Sequence, residues 1–347
     1  LQQYLVALDG GRYQALTTAW DTRPADVGGQ RWFHLSPDVT SAEDPLHWTG
    51  VYYNWNSSCA ECHSTGLTKN LDAATDSFAT TWTSDAVDCE ACHGPGSLHG
   101  EAPATARLGL AATARTWVLA DGARIAQRVP AGTGDAEIEV CAQCHSRRTQ
   151  FSDAYAPGDA FLDAFRPALL DVGLYHADGQ ILDEVYEYGS FLQSRMYAAG
   201  VTCTDCHDPH SGQLRATENE LCAACHLPSA FDTPEHHRHA AGASGSQCVD
   251  CHMSERTYMV VDGRRDHSFR VPRPDLSGQL GVPNACNGCH EDRTSEWAAT
   301  QVAAWFPGGR SGTFHYAQAL AAGWSWTADR HALLAQTIGD AEMPPIV

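Results

Sequence analysis

Every cysteine in this sequence stands in one five-residue pattern, Cys-x-x-Cys-His, repeated seven times with none left over. The sites are Cys59, Cys62 and His63; Cys89, Cys92 and His93; Cys141, Cys144 and His145; Cys203, Cys206 and His207; Cys222, Cys225 and His226; Cys248, Cys251 and His252; and Cys286, Cys289 and His290. Two thiols at this spacing can span the vinyl groups of one porphyrin as thioethers, and the imidazole that follows at once is aimed at its iron. With 18 His among 347 residues, seven out of seven by chance has a probability on the order of 10⁻⁹, so zinc, disulfide and thioredoxin-like readings fall away. The pattern predicts seven covalently attached heme c groups, each with the motif histidine as proximal iron ligand.

Seven proximal ligands leave eleven other histidines, more than one for each iron. A second imidazole saturates iron and suits it to outer-sphere electron transfer, whereas chemistry at the metal needs an open position. The surplus therefore predicts mostly bis-histidine irons and an electron carrier rather than a catalyst. His210 follows His207 by three residues, with Pro209 turning the chain away, and His99 follows His93 behind Gly94-Pro95. Both are read as distal ligands, as are His267 in Arg265-Asp266-His267 and one or two of His236, His237 and His239. His34, His47 and His176, in aromatic or turn-rich surroundings, complete the candidate set. His315 and His331 fall on expected helices and are read as structural, and Met196, Met253, Met259 and Met343 as packing residues.

These sites have to be held by modest elements. Residues 1–58 read as a β-rich cap, with a strand over 4–8, a turn at Asp9-Gly10-Gly11 and a strand over 12–16. Trp20, Trp32, Trp48 and Trp55 then lead into the first motif as space-filling aromatics. Residues 59–290 are expected to be a heptahaem core in which porphyrins replace an aliphatic interior. Within it, 102–119 reads as helical or loosely ordered and 182–196 as helical, and Tyr175, Tyr186, Tyr188 and Tyr197 as haem-edge packing. Residues 291–347 read as a helical segment, with helices over 293–306 and 314–338 around Gly308-Gly309 and Gly312. The fold class expected is mostly α and irregular, haem-cored, with a small N-terminal β element.

The formal charge of −20, with Lys69 the only lysine, excludes nucleic acid as a partner. Arg147-Arg148 and Arg264-Arg265 are candidates to neutralise haem propionates. Covalent haem attachment and the cysteine load point to a periplasmic, extracellular or cell-surface location. Leu1-Gln2-Gln3-Tyr4 is not a leader sequence, which reads as a mature or truncated chain, and no run of about eighteen apolar residues predicts a membrane span.

The stretches from Gly200 to His210, Cys248 to Met253 and Arg265 to Asp275 resemble bacterial multihaem cytochromes with a C-terminal tetratricopeptide or HEAT-like tail. These belong to the wider clan of the nitrifiers' tetrahaem cytochrome, hydroxylamine oxidoreductase and octahaem reductases. The resemblance covers most of residues 1–300. It implies a chain of stacked and perpendicular haem pairs, largely His-His ligated, with His99, His210, His239 and His267 as distal ligands. Relatives of this type often carry a further upstream motif and a long repeat tail, so the sequence reads as a fragment of a longer chain. All seven proximal positions are His, unlike the ammonia-forming nitrite reductases, which have one Lys. Three functions follow: electron transfer between redox partner proteins, an oxidoreductase with one open haem acting on a small nitrogen or sulfur compound, or a subunit of a cytochrome filament built with other cytochromes or copies of itself.

Overall fold

The expected turn at Asp9–Gly11 is where the chain first reverses, in a computed structural model that describes residues 1–97, 115–132 and 135–347. Gly11 is required there. It has φ 72°, and a Cβ on it would lie 2.0 Å from the Phe78 carbonyl oxygen. Strands Gln2–Leu8 and Arg12–Asp21 pair antiparallel around this turn, with Val6 opposite Gln14, and Arg31–His34 adds a third strand with Trp32 opposite Trp20. The central strand alternates, burying Ala15, Thr17 and Ala19.

Two units are distinguished. The first comprises Leu1–Ala111, Ser152–Ala164 and Thr257–Asp262, and holds the three-stranded sheet with the first two Cys-x-x-Cys-His sites. The second comprises Ala112–Phe151, Phe165–Arg256 and Gly263–Val347, and holds the other five. The expected cap at 1–58 is thus part of a unit that also carries haem sites, and so is the expected tail at 291–347.

In the second unit, short helices carry the cysteines: Asp135–Ala142, Cys203–Cys206, Glu218–Ala223 and Cys248–His252. Two-stranded ladders lie between them, Thr116–Val118 with Gln127–Val129, Arg148–Gln150 with Phe165–Pro167, and His207–Asp208 with Gln213–Leu214. Small sheets therefore recur along the chain and the architecture is mixed, a correction to the mostly helical expectation. Residues 102–114 lie outside the described residues, while 116–118 are strand rather than helix, as the β-branched Thr116 and Val118 favour. The expected helix at 182–196 is two single turns, Tyr188–Phe191 and Arg195–Ala198. The expected helix at 314–338 is also two, Tyr316–Trp324 and Arg330–Ile338, packed together and parted where Trp326 takes φ 53°. Apolar clusters of Leu170, Tyr175, Val185 and Tyr316, and of Ala177, Leu276, Val282 and Ala317, anchor these helices. Leu276 is 1% exposed, and burial of such a side chain stabilises by about 1.5–3 kcal/mol.

Candidate functional site

In the first unit, buried amides fasten the first motif to the sheet. Asn56 accepts a hydrogen bond from the Tyr13 backbone N–H at 2.8 Å and donates to Thr80 Oγ1 at 2.8 Å. Gln14 donates to the Trp48 carbonyl at 2.8 Å and accepts from Asn54 at 3.1 Å. Asn54 in turn caps helix Trp55–Ser58, which runs into Ala60–His63. The second motif is the helix Cys89–His93, capped by Asp88. His34, expected as a ligand, has both nitrogens engaged: Nε2 with Thr17 Oγ1 at 2.9 Å, and Nδ1 accepting from the Ser36 N–H at 3.1 Å. It ends the third strand, opposite Thr18. His47 Nδ1 meets Thr49 Oγ1 at 2.7 Å. His99 lies outside the described residues.

In the second unit, ion pairs and amides clamp successive motifs together. Arg115 bonds Asp205 at 3.0 Å, Glu137 at 3.3 Å and Thr204 at 2.7 Å, and Glu137 accepts from the Thr204 N–H at 2.7 Å. Glu137 stands one helical turn before Cys141, and Asp205 lies inside the fourth motif, so the clamp joins the third and fourth sites. The Cys141 thiol accordingly lies in hydrogen-bonding contact with Cys203, which raises its pKa together with burial. Asn219 does the same for the fifth and sixth, donating to Asp232 at 2.9 Å and accepting from the Cys248 N–H at 2.8 Å. There the Cys222 thiol contacts Cys248, which raises the Cys248 pKa. Burial pushes the Cys206 and Cys251 thiols up to about 11, with Cys225 in electrostatic range of the former and Cys286 and Cys289 of the latter. The five sites thus adjoin in sequence order.

Three proximal imidazoles face a second imidazole. His207 and His267 have ring centroids 6.3 Å apart, His252 and His236 6.2 Å, and His290 and His239 6.2 Å, with planes within 28° of parallel. Metal–imidazole bonds of about 2.0–2.1 Å on opposite sides of one metal put the centroids roughly 6.3 Å apart. In each pair one Nδ1 is held by a backbone carbonyl: His267 on Arg265 at 2.9 Å, His252 on Arg270 at 2.6 Å and His239 on His237 at 2.6 Å. That bond fixes the tautomer that keeps the Nε2 lone pair for a metal. The residues fit the haem expectation. Gly245, with φ 86°, leaves room for His239, since a Cβ there would lie 2.8 Å from its Nε2.

The remaining candidates are more scattered. His176 has a buried Nε2 without a hydrogen-bond partner, and burial pushes its pKa down, which favours the neutral form that a ligand needs. His210 sits in the exposed turn of the His207–Leu214 ladder. His145 donates from Nδ1 to Glu187 at 2.9 Å. Burial pushes the Glu187 carboxyl up, but the His145 hydrogen bond and the charges of His145 and His267 together outweigh it and the pKa falls. His315 is structural as expected, its Nδ1 accepting the Ala317 N–H at 3.1 Å as a helix cap. Arg147 and Arg264 pair with Asp183 and Glu184, Arg265 lies near Asp250 and Glu255, and Arg148 lies over Phe165, so carboxylates and rings of the chain occupy the arginines expected on propionates. Sequence reasoning missed Arg115, Asn219, Asn56 and Glu187. It left His236 undistinguished from His237.

Comparison with known proteins finds haem-attachment families. Residues 196–230 match the family model described as a doubled CXXCH motif, and residues 39–94 that of cytochrome c554 and c-prime. No curated protein matches the chain. Among solved structures it is similar to the outer cell wall cytochrome OcwA, at 20% identity over 88% of this chain and 72% of that one, with a TM-score of 0.58. An undecaheme cytochrome from the S-layer of Carboxydothermus ferrireducens matches at 17% identity over 96% of this chain and 60% of that one, and its TM-score of 0.40 does not define a common fold. Haem-attachment motifs lie inside both matched segments, so the protein is a multihaem c-type cytochrome.

Proposed function

We propose that the chain carries single electrons along seven covalently bound haems, most of them held between two histidines, outside the cytoplasm. The observation that carries this reading is the set of three imidazole pairs at 6.2–6.3 Å, a separation that suits six-coordinate iron and leaves no position for a substrate. Bound haem supplies reversible one-electron Fe(III)/Fe(II) chemistry. The chain's own residues hold the imidazoles in one tautomer, exclude exogenous ligands from the irons, and through the Arg115 and Asn219 clamps bring successive attachment sites into contact. His99, His176 and His210 are left to serve other irons.

Adjoining thiols favour a row in the order His145, His207, His226, His252, His290, because porphyrins attached through neighbouring sulfurs have edges close enough for direct transfer. Among the described residues no helix is long and apolar enough to cross a membrane. A cell-surface site, as in the outer cell wall and S-layer cytochromes, and exchange with other cytochromes accord with the acidic surface. One observation favours the oxidoreductase reading: among the described residues His226 meets the edge of Phe231 at 5.6 Å and not a second imidazole.

The deciding measurement is a ferrous minus ferrous-CO difference spectrum on the holoprotein with haem counted per chain. Seven haems and no CO uptake are expected. Uptake of one CO per chain transfers the assignment to an enzyme with an open haem.

A further inference from the structure

The proximal histidines of the second unit are not equivalent in what their outer nitrogen touches. His252 Nδ1 meets the neutral carbonyl of Arg270, whereas His145 Nδ1 donates to the carboxylate of Glu187 at 2.9 Å. Among the described residues, no other proximal histidine of this unit pairs with a carboxylate. The arrangement is built rather than incidental. Glu187 immediately precedes the turn Tyr188–Phe191, the Tyr188 N–H donates to the His145 carbonyl at 2.9 Å, and Arg147 bonds both Asp183 and the Glu184 carbonyl. Backbone and side chain together seat the 183–188 segment on the third motif.

A carboxylate accepting the outer N–H of a metal-bound imidazole makes that imidazole a stronger donor and places negative charge near the iron. Both effects stabilise the ferric state over the ferrous. We infer that Glu187 is a positioning residue that sets the haem on His145 at the lowest reduction potential of the five in this unit. The inference rests on the haem row proposed above, in which this haem is the first member. In that row the Glu187 carboxylate would favour transfer from the haem held by His145 to the one held by His207. The charge of Glu187 also reaches His207 and His267, and the second haem shares a smaller part of the effect.

The test is an optical redox titration of the holoprotein carrying Glu187→Gln, with Glu187→Asp as the charge-retaining control and haem per chain counted in each. Outer-shell partners of metal ligands are worth about 10–100-fold in the equilibrium they tune. At 59 mV per tenfold for one electron, one seventh of the amplitude moves positive by roughly 59–118 mV in the Gln variant. It stays near the wild-type position in the Asp variant. A Gln titration superimposable on wild type at full haem content overturns the inference, as does an equal shift of all haems. A CO difference spectrum on the wild type separates the two readings: CO uptake there defeats the electron-carrier proposal, while the titration alone decides Glu187.

Discussion

Substitution of His267 by Ala tests the iron ligation directly. The His267 ring centroid lies 6.3 Å from that of His207, close to the roughly 6.3 Å that two opposed metal–imidazole bonds require. Removing the imidazole leaves a methyl group that cannot reach the iron and frees space larger than the roughly 30 Å³ share of one water, ample for a diatomic ligand. The Arg265 carbonyl that held Nδ1 and the Asp266 side chain that accepts from the Ser268 N–H remain, so the loop keeps its shape. The expected result is one additional CO bound per chain on reduction, with one haem in seven becoming high-spin when oxidised. His236→Ala and His239→Ala should each do the same. His34→Ala, which removes a ring hydrogen-bonded through both nitrogens, should add none. If the three variants take up no more CO than the wild type, the paired imidazoles are not iron ligands and the argument from their spacing fails.

Arg115→Met leaves Glu137 and Asp205 without their shared cation, and all three side chains are between 14% and 19% exposed. Breaking a fully buried pair costs about 3–5 kcal/mol, and partial solvent access brings this to about 2–4, read as a fall in the urea midpoint followed by far-ultraviolet circular dichroism at unchanged haem content; an unchanged midpoint refutes the clamp. His315 is pushed down to about 3, first by burial and then by Arg270, Arg273 and Arg310, with Asp275 acting against them. Its folded pKa lies below its unfolded one, so its contribution is complete above about pH 6.5 and is lost as pH falls toward 3, at about 1.4 kcal/mol per pH unit. His315→Asn keeps a capping side chain without the titration, and its melting temperature should fall less steeply between pH 6 and 4; parallel curves contradict this.

What the sequence made legible is what has a local signature. The haem sites are read from five consecutive residues. The first hairpin is read from alternation around Asp9-Gly10-Gly11, although the second strand runs on to Asp21 because Trp20 and Ala19 pair with the third strand. His267 is read from the short polar loop Arg265-Asp266-His267, whereas His239 is singled out from its two neighbours only by the family resemblance. His236 was not singled out, since only folding decides which of three clustered histidines turns toward His252. Glu187 lies 42 residues from His145, and Arg115 lies 90 from Asp205. Pairs so distant leave no period or motif to find. The contact of His34 with Thr17 is of the same kind, since the two residues stand on different strands.

Those distant polar pairs also answer how so thin an aliphatic interior can order the haem sites. The motif helices are four to eight residues long, well below the ~12–15 at which isolated helices become even marginal in water. Their order must come from outside themselves. Apolar packing supplies it for the C-terminal helices, where Leu276 and Tyr316 are buried. At the third to sixth motifs it comes from Arg115 and Asn219, which act on the cysteine-bearing helices themselves and leave the imidazole faces clear. A clamp made of directional bonds fixes the distance between neighbouring attachment sites more closely than a deformable apolar contact does. In a protein whose transfer rates depend on that distance, this is the property the clamps serve.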